Sequence, residues 1–169
     1  MVFLSLLENH PILNGLVQRG PISVEKNRVE AVEWYRKSAE QNDRIAQYYL
    51  GNCHYFGEGI EKNYTEAVKW YRRAAEQNDV EAQSYLGVCY YFGQGIEMNY
   101  TEAVKWYRKA AEQNDSMAQY NLGVCYEVGR GVAKDHAEAL KWYRKAAENG
   151  NKDAEKRVTL LSSKLSKPQ

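Results

Sequence analysis

Trp34, Trp70, Trp106 and Trp142 stand 36 residues apart, and each is followed by tyrosine at Tyr35, Tyr71, Tyr107 and Tyr143. A period between about 20 and 50 residues is the signature of a stacked repeat array, because one unit of that size cannot bury its own apolar face. The register divides the single domain 1–169 into full units at 43–78, 79–114 and 115–150, a degenerate unit at 4–42, and a terminal segment at 151–164. The spacings inside a unit are helical. Ala46, Leu50 and Cys53 lie four and three residues apart, an apolar stripe on a first helix that ends at Gly57-Glu58-Gly59. A second helix opens at Asn63, where Asn63 and Glu66 have the spacing of a capping box, repeated by Asn99 with Glu102, Asp135 with Glu138 and Asn27 with Glu30. This second helix is expected to bury Ala67, Trp70, Tyr71, Ala74 and Ala75. The fold class is therefore all-α, a solenoid of antiparallel helix hairpins.

The ends of such a stack are expected to differ from its middle. Residues 4–26 read as a degenerate first helix and loop, with Gly15 in the place of Gly51, and 151–164 reads as a capping helix that keeps Ala154 and trails into a Lys/Ser tail.

The pattern carried by Ala82, Leu86-Gly87, Tyr90, Gly93, Gly95, Ile96, Asn99, Ala103, Trp106-Tyr107 and Ala110-Ala111-Glu112 resembles the Sel1-like repeat family, itself similar to tetratricopeptide repeats with a longer internal loop. The resemblance implies a right-handed superhelix and an adaptor that binds other proteins. Some secreted cysteine-rich relatives are described as acting on penicillin-like compounds and carry paired cysteines in each repeat. This chain has one cysteine per full unit, Cys53, Cys89 and Cys125. Stacked helices lie about 10 Å apart, too far for a disulfide between equivalent cysteines, so all three are expected as buried free thiols.

Differences between the units point to the surface that could carry function. The variable first-helix positions are Ile45, Glu81 and Met117; Tyr48, Ser84 and Tyr120; Asn52, Val88 and Val124; and Tyr55, Tyr91 and Glu127. By resemblance to tetratricopeptide arrays these twelve residues line a concave groove that takes a peptide or partner protein. The 14 tyrosines and four tryptophans against three phenylalanines suit a binding surface, since tyrosine offers large contact area at low entropy cost. The competing reading places many of them in the seams between hairpins.

Other chemistries find little support. With 23 Lys plus Arg against 22 Asp plus Glu, the chain lacks the positive field that nucleic acid demands, and no apolar run is long enough to enter a membrane as a spanning helix. No nucleophile, base and orienting group converge in the pattern, and neither a cofactor motif nor a metal-ligand spacing is present. Ser23-Val24-Glu25-Lys26 has the S-x-x-K spacing of penicillin-recognising enzymes without their companion motifs. Arg72 and Glu76 are expected to form a solvent-facing pair on the second helix. The expectation is a non-enzymatic cytoplasmic adaptor, with a self-associating structural subunit as the alternative and a penicillin-type hydrolase as a remote one.

Overall fold

The computed structural model describes residues 21–165, which form eight α-helices and no strand. They are α1 (Pro21–Glu40), α2 (Arg44–Phe56), α3 (Tyr64–Glu76), α4 (Val80–Phe92), α5 (Tyr100–Glu112), α6 (Ser116–Val128), α7 (His136–Glu148) and α8 (Lys152–Leu165). Each helix packs mainly on its neighbours in sequence, with the tightest pairing inside the hairpins α2/α3, α4/α5 and α6/α7.

Local chemistry sets the helix ends. Asp43, Asp79 and Asp115 cap the first helices, each accepting from backbone N–H groups of the first turn. Asn63, Asn99 and Asp135 do the same for the second helices, as their spacing predicts. The partner acid of that box behaves differently: Glu66 turns to Lys69 (2.6 Å) and Glu102 to Lys105 (2.6 Å). Asn27 caps nothing. It lies inside α1, which runs unbroken from Pro21, so the loop expected up to residue 26 is replaced by helix from residue 21. The remainder of the expected first helix and loop, residues 4–20, lies outside the described residues.

The core is made by glycine and tyrosine together. Tyr71, Tyr107 and Tyr143 are fully buried, and the Cδ1–Cε1 side of each ring abuts a helical glycine of the preceding first helix. A Cβ on Gly51, Gly87 or Gly123 would fall within 2.7 Å of a ring carbon. The expected burial of the tryptophans is corrected by the structure. Trp142 is buried, Trp70 and Trp106 are half-buried, and Trp34 is 71% exposed. Trp142 packs against residues of α5 and α6, whereas no described helix precedes α1 to cover Trp34. Each indole also carries a cation one turn later, with Lys37, Arg73, Lys109 and Lys145 at 5.6, 5.0, 4.3 and 4.7 Å from the ring centroids.

A polar staple joins successive hairpins. Buried Gln83 donates through Nε2 to the Ala75 carbonyl (3.2 Å) and Asn78 Oδ1 (3.0 Å), and its Oε1 accepts from Gln113 Nε2 (2.9 Å). Gln47 with Gln77, and Gln119 with Asn149, repeat the link. The turn that presents Asn78 holds it at φ +66°, and Asn42 and Asn114 match it, a conformation asparagine tolerates better than most residues. Gln83→Leu keeps the side-chain volume but strands the amides it served. Urea unfolding should show a loss of about 2 kcal/mol, and an unchanged midpoint would mean that the staple contributes nothing.

A candidate protein-interaction face on the first helices

The first helices present one face away from their partners, and the twelve sequence-nominated residues divide sharply on it. Ile45 and Glu81 are exposed, while Met117, Tyr48, Tyr120, Asn52, Val88, Val124, Tyr55, Tyr91 and Glu127 are half-buried. Ser84 is buried outright and donates to Asp115 Oδ1 (2.8 Å). It therefore holds the next helix cap and does not belong to the exposed face.

The tyrosines serve the seams as well as the surface. Tyr48 packs on Tyr71 and on Tyr85 of the next unit at centroid distances of 6.3 and 6.2 Å. Tyr120 lies 5.5 Å from Tyr143. Tyr55 Oη donates to Gln94 Oε1 (2.6 Å), and Arg130 Nη1 donates to Tyr91 Oη (2.8 Å), each bond spanning one repeat. Asn52 accepts from Tyr71 Oη (2.7 Å) and Glu127 from Tyr143 Oη (2.7 Å), so both orient a core ring. Glu127 also meets Arg157 of α8 at 3.6 Å.

Sequence comparison of the units missed part of this face. Phe56, Phe92 and Val128 occupy one repeat position at the ends of α2, α4 and α6, and they are 50%, 63% and 51% exposed. Their recurrence was the available signal, but helical spacing places them only three residues past the buried cysteines. The exposed Met98 belongs to the adjoining loop. Arg72, expected to pair with Glu76, instead donates to Tyr90 Oη (2.9 Å), and Arg108 repeats the bond to Tyr126 (2.7 Å).

Titration chemistry on this scaffold is muted. Burial pushes the Cys53, Cys89 and Cys125 thiols up to about 12, and all three are free. Below about pH 8.5 the thiol is protonated in both folded and unfolded chains. As pH rises from there toward 12, the unfolded chain releases protons that the folded one keeps, so stability must fall. The urea midpoint should drop steadily between pH 8 and 11, and at pH 8 a disulfide reagent should label the thiols only as fast as the fold opens. Labelling of all three within the mixing time would contradict this burial. Among the described residues no cluster of three His, Cys, Asp or Glu is placed to hold a metal ion, and no helix is long and apolar enough to cross a membrane.

With helices, loops and seams repeating every 36 residues, the family can be assigned. Residues 15–43, 44–79, 80–115 and 116–151 each match the Sel1 repeat model. The chain belongs to the Sel1 repeat family. Among solved Sel1-repeat structures, it is 42% identical to a Sel1 repeat protein from Oxalobacter formigenes, with a TM-score of 0.72 over 81% of this chain and 57% of that one. It is 34% identical to c5321, a protective antigen of uropathogenic Escherichia coli with the same fold, with a TM-score of 0.76 over 82% of this chain and 30% of that one. Helicobacter pylori cysteine rich protein B shares 27% identity at a TM-score of 0.61, over 78% of this chain and 94% of that one. The chain thus spans little over half of the first of these relatives and less than a third of the second. A comparison with curated proteins gave no match. Sel1-repeat proteins are generally protein-interaction scaffolds and typically non-catalytic.

Proposed function

We propose that this Sel1-repeat chain is a non-catalytic adaptor that holds a peptide or partner helix against the outward face of α2, α4 and α6. The observation that carries the reading is the repetition of exposed apolar side chains at one position, Phe56, Phe92 and Val128, beside half-buried Tyr55 and Tyr91. Water-facing aromatics invite a partner, while on the second helices Tyr71, Tyr107 and the alanines beside them are buried within the stack. Ile45 and Glu81 extend the face toward the opposite ends of α2 and α4.

Affinity capture followed by quantitative mass spectrometry tests the reading, comparing wild type with a triple variant, Ile45→Glu, Phe56→Ser and Phe92→Ser, all at exposed positions. Tyr48, Tyr55, Tyr91 and Tyr120 are left intact because they pack on core rings. A selective loss of captured proteins, with the helical circular dichroism retained, supports the adaptor. An unchanged set removes this face from consideration.

Self-association through the ends of the stack is the second reading, favoured by exposed Val29 and Trp34 on α1 and by exposed Leu160 and Leu165 on α8. Light scattering over a concentration series separates the two, because a strict monomer at all concentrations excludes it.

A further inference from the structure

The first seam of the stack departs from the next two at His54. Arg72 of α3 donates to Tyr90 Oη of α4 at 2.9 Å, and Arg108 of α5 donates to Tyr126 Oη of α6 at 2.7 Å. The residues one period earlier are Arg36 of α1 and His54 of α2. An imidazole thus stands where the later seams have a phenol. Arg36 meets Glu33 of its own helix instead, at 3.9 Å and on the surface.

The site suits a neutral ring and resists a charged one. His54 is 8% exposed, and its Nδ1 is buried with no hydrogen-bond partner. A neutral imidazole can carry its proton on Nε2 and leave Nδ1 as a bare lone pair, whereas the cation must protonate both nitrogens. Protonation therefore seals a charged N–H donor away from any acceptor, which costs more than the unpaired lone pair it replaces. The charges around the ring divide. From α1 the facing group is Arg36, a permanent cation. From α3 it is Glu66, which favours the imidazolium but already accepts from Lys69 at 2.6 Å. On α2 itself the adjacent Cys53 thiol, pushed up to about 12 by burial, stays neutral at any pH where histidine titrates. Burial holds the imidazole below its ordinary value of 6.5 against the pull of Glu66, and Arg36 lowers it further.

We propose that His54 is an acid-sensitive latch between α1 and the rest of the stack, closed by the neutral ring and loosened when the ring takes a proton. The seam it controls is apolar, with Val32 and Ala39 of α1 packed among Ala46, Leu50 and Cys53 of α2. Acid would uncover this end of the array while the seams built with Tyr90 and Tyr126 stay shut. Just below pH 6.5 the unfolded chain binds a proton that the folded chain refuses, so the stabilisation is complete above that pH and is lost as pH falls through the lowered folded value. Asp79 and Asp115 act in the opposite direction, because burial raises their carboxyls and the folded chain takes up those protons first. The latch lies in a seam at one end of the stack and does not depend on the adaptor reading.

Urea unfolding of the full chain at about pH 7.5 and about pH 5.5, with hydrogen exchange resolved by helix, tests it. In wild type the folding equilibrium should weaken about threefold or more on acidification. Exchange in α1, corrected for its intrinsic pH dependence, should speed up relative to α5 and α6. His54→Tyr installs the residue of the later seams and should abolish both changes. His54→Gln should abolish them too, since an amide has no proton to gain in this range and offers no phenol to Arg36. Each variant is compared with itself at the two pH values, so a general change in stability does not obscure the result. An acid loss that persists at full size in either variant overturns the latch, as does a loss spread evenly over all helices or no acid loss in wild type.

Discussion

Gly95→Ala should cost the fold roughly 3–5 kcal/mol, the largest effect expected of a single methyl group in this protein. Gly95 sits in the loop between α4 and α5 at φ +71°, where any other residue carries a penalty of about 1–2 kcal/mol. A Cβ there would also collide with the Tyr64 carbonyl and the Thr65 nitrogen at the start of α3. Backbone atoms of a capped helix start cannot swing aside, so the overlap must be relieved by separating two repeats. Gly59 against Arg28 and Gly131 against Tyr100 repeat the contact. Gly150 is the internal control: its φ is +85°, and nothing lies within 4 Å of its would-be Cβ. Gly150→Ala should therefore lose only the conformational part. Urea denaturation of the two variants isolates the contact between repeats, and equal losses would show that the loop does not bear on the neighbouring hairpin.

Tyr107→Ala should remove about 3–5 kcal/mol, whereas Trp34→Ala should change stability by less than about 1 kcal/mol. The contrast is counter to residue size. Tyr107 is sealed between α4 and α5, with its ring on Gly87, so truncation opens a cavity that the surrounding helices can collapse into only partly. The same ring explains why Gly87 admits no larger side chain without overpacking. Trp34 has most of its surface in water and a cation–π contact with Lys37 to lose. A Trp34→Ala loss as large as that of Tyr107→Ala would mean that the indole is covered in solution.

These two outcomes show where the sequence reads clearly and where it does not. The Trp-Tyr pair announces the repeat because both residues recur, but recurrence does not say which of them is inside. Adjacent residues on a helix point about 100° apart. Tyr71 aligns with Val68, Ala74 and Ala75, three buried neighbours, while Trp70 shares its side with Glu66 and Arg73 and falls at the rim. The candidate face has the same history. Variation among the units nominates Tyr55 and Tyr91, and equally Ser84, whose hydroxyl is consumed by Asp115. Phe56, Phe92 and Val128 vary among the units in the same way as Tyr55, Tyr91 and Glu127, so variation does not rank one position above the other; exposure does, since Phe56 and Phe92 are among the most exposed apolar side chains described.

The sequence by itself determined the period, the helical hairpin, the caps at Asn63, Asn99 and Asp135, the left-handed glycine at the end of each first helix, and the membership that follows from them. All of these are local, set by the spacing of residues within one unit. Stacking decided the rest. Which aromatic is core, which serine is a strut and which glutamine is a staple depend on contacts 20 to 31 residues away, and those contacts exist only once the helices have closed on one another.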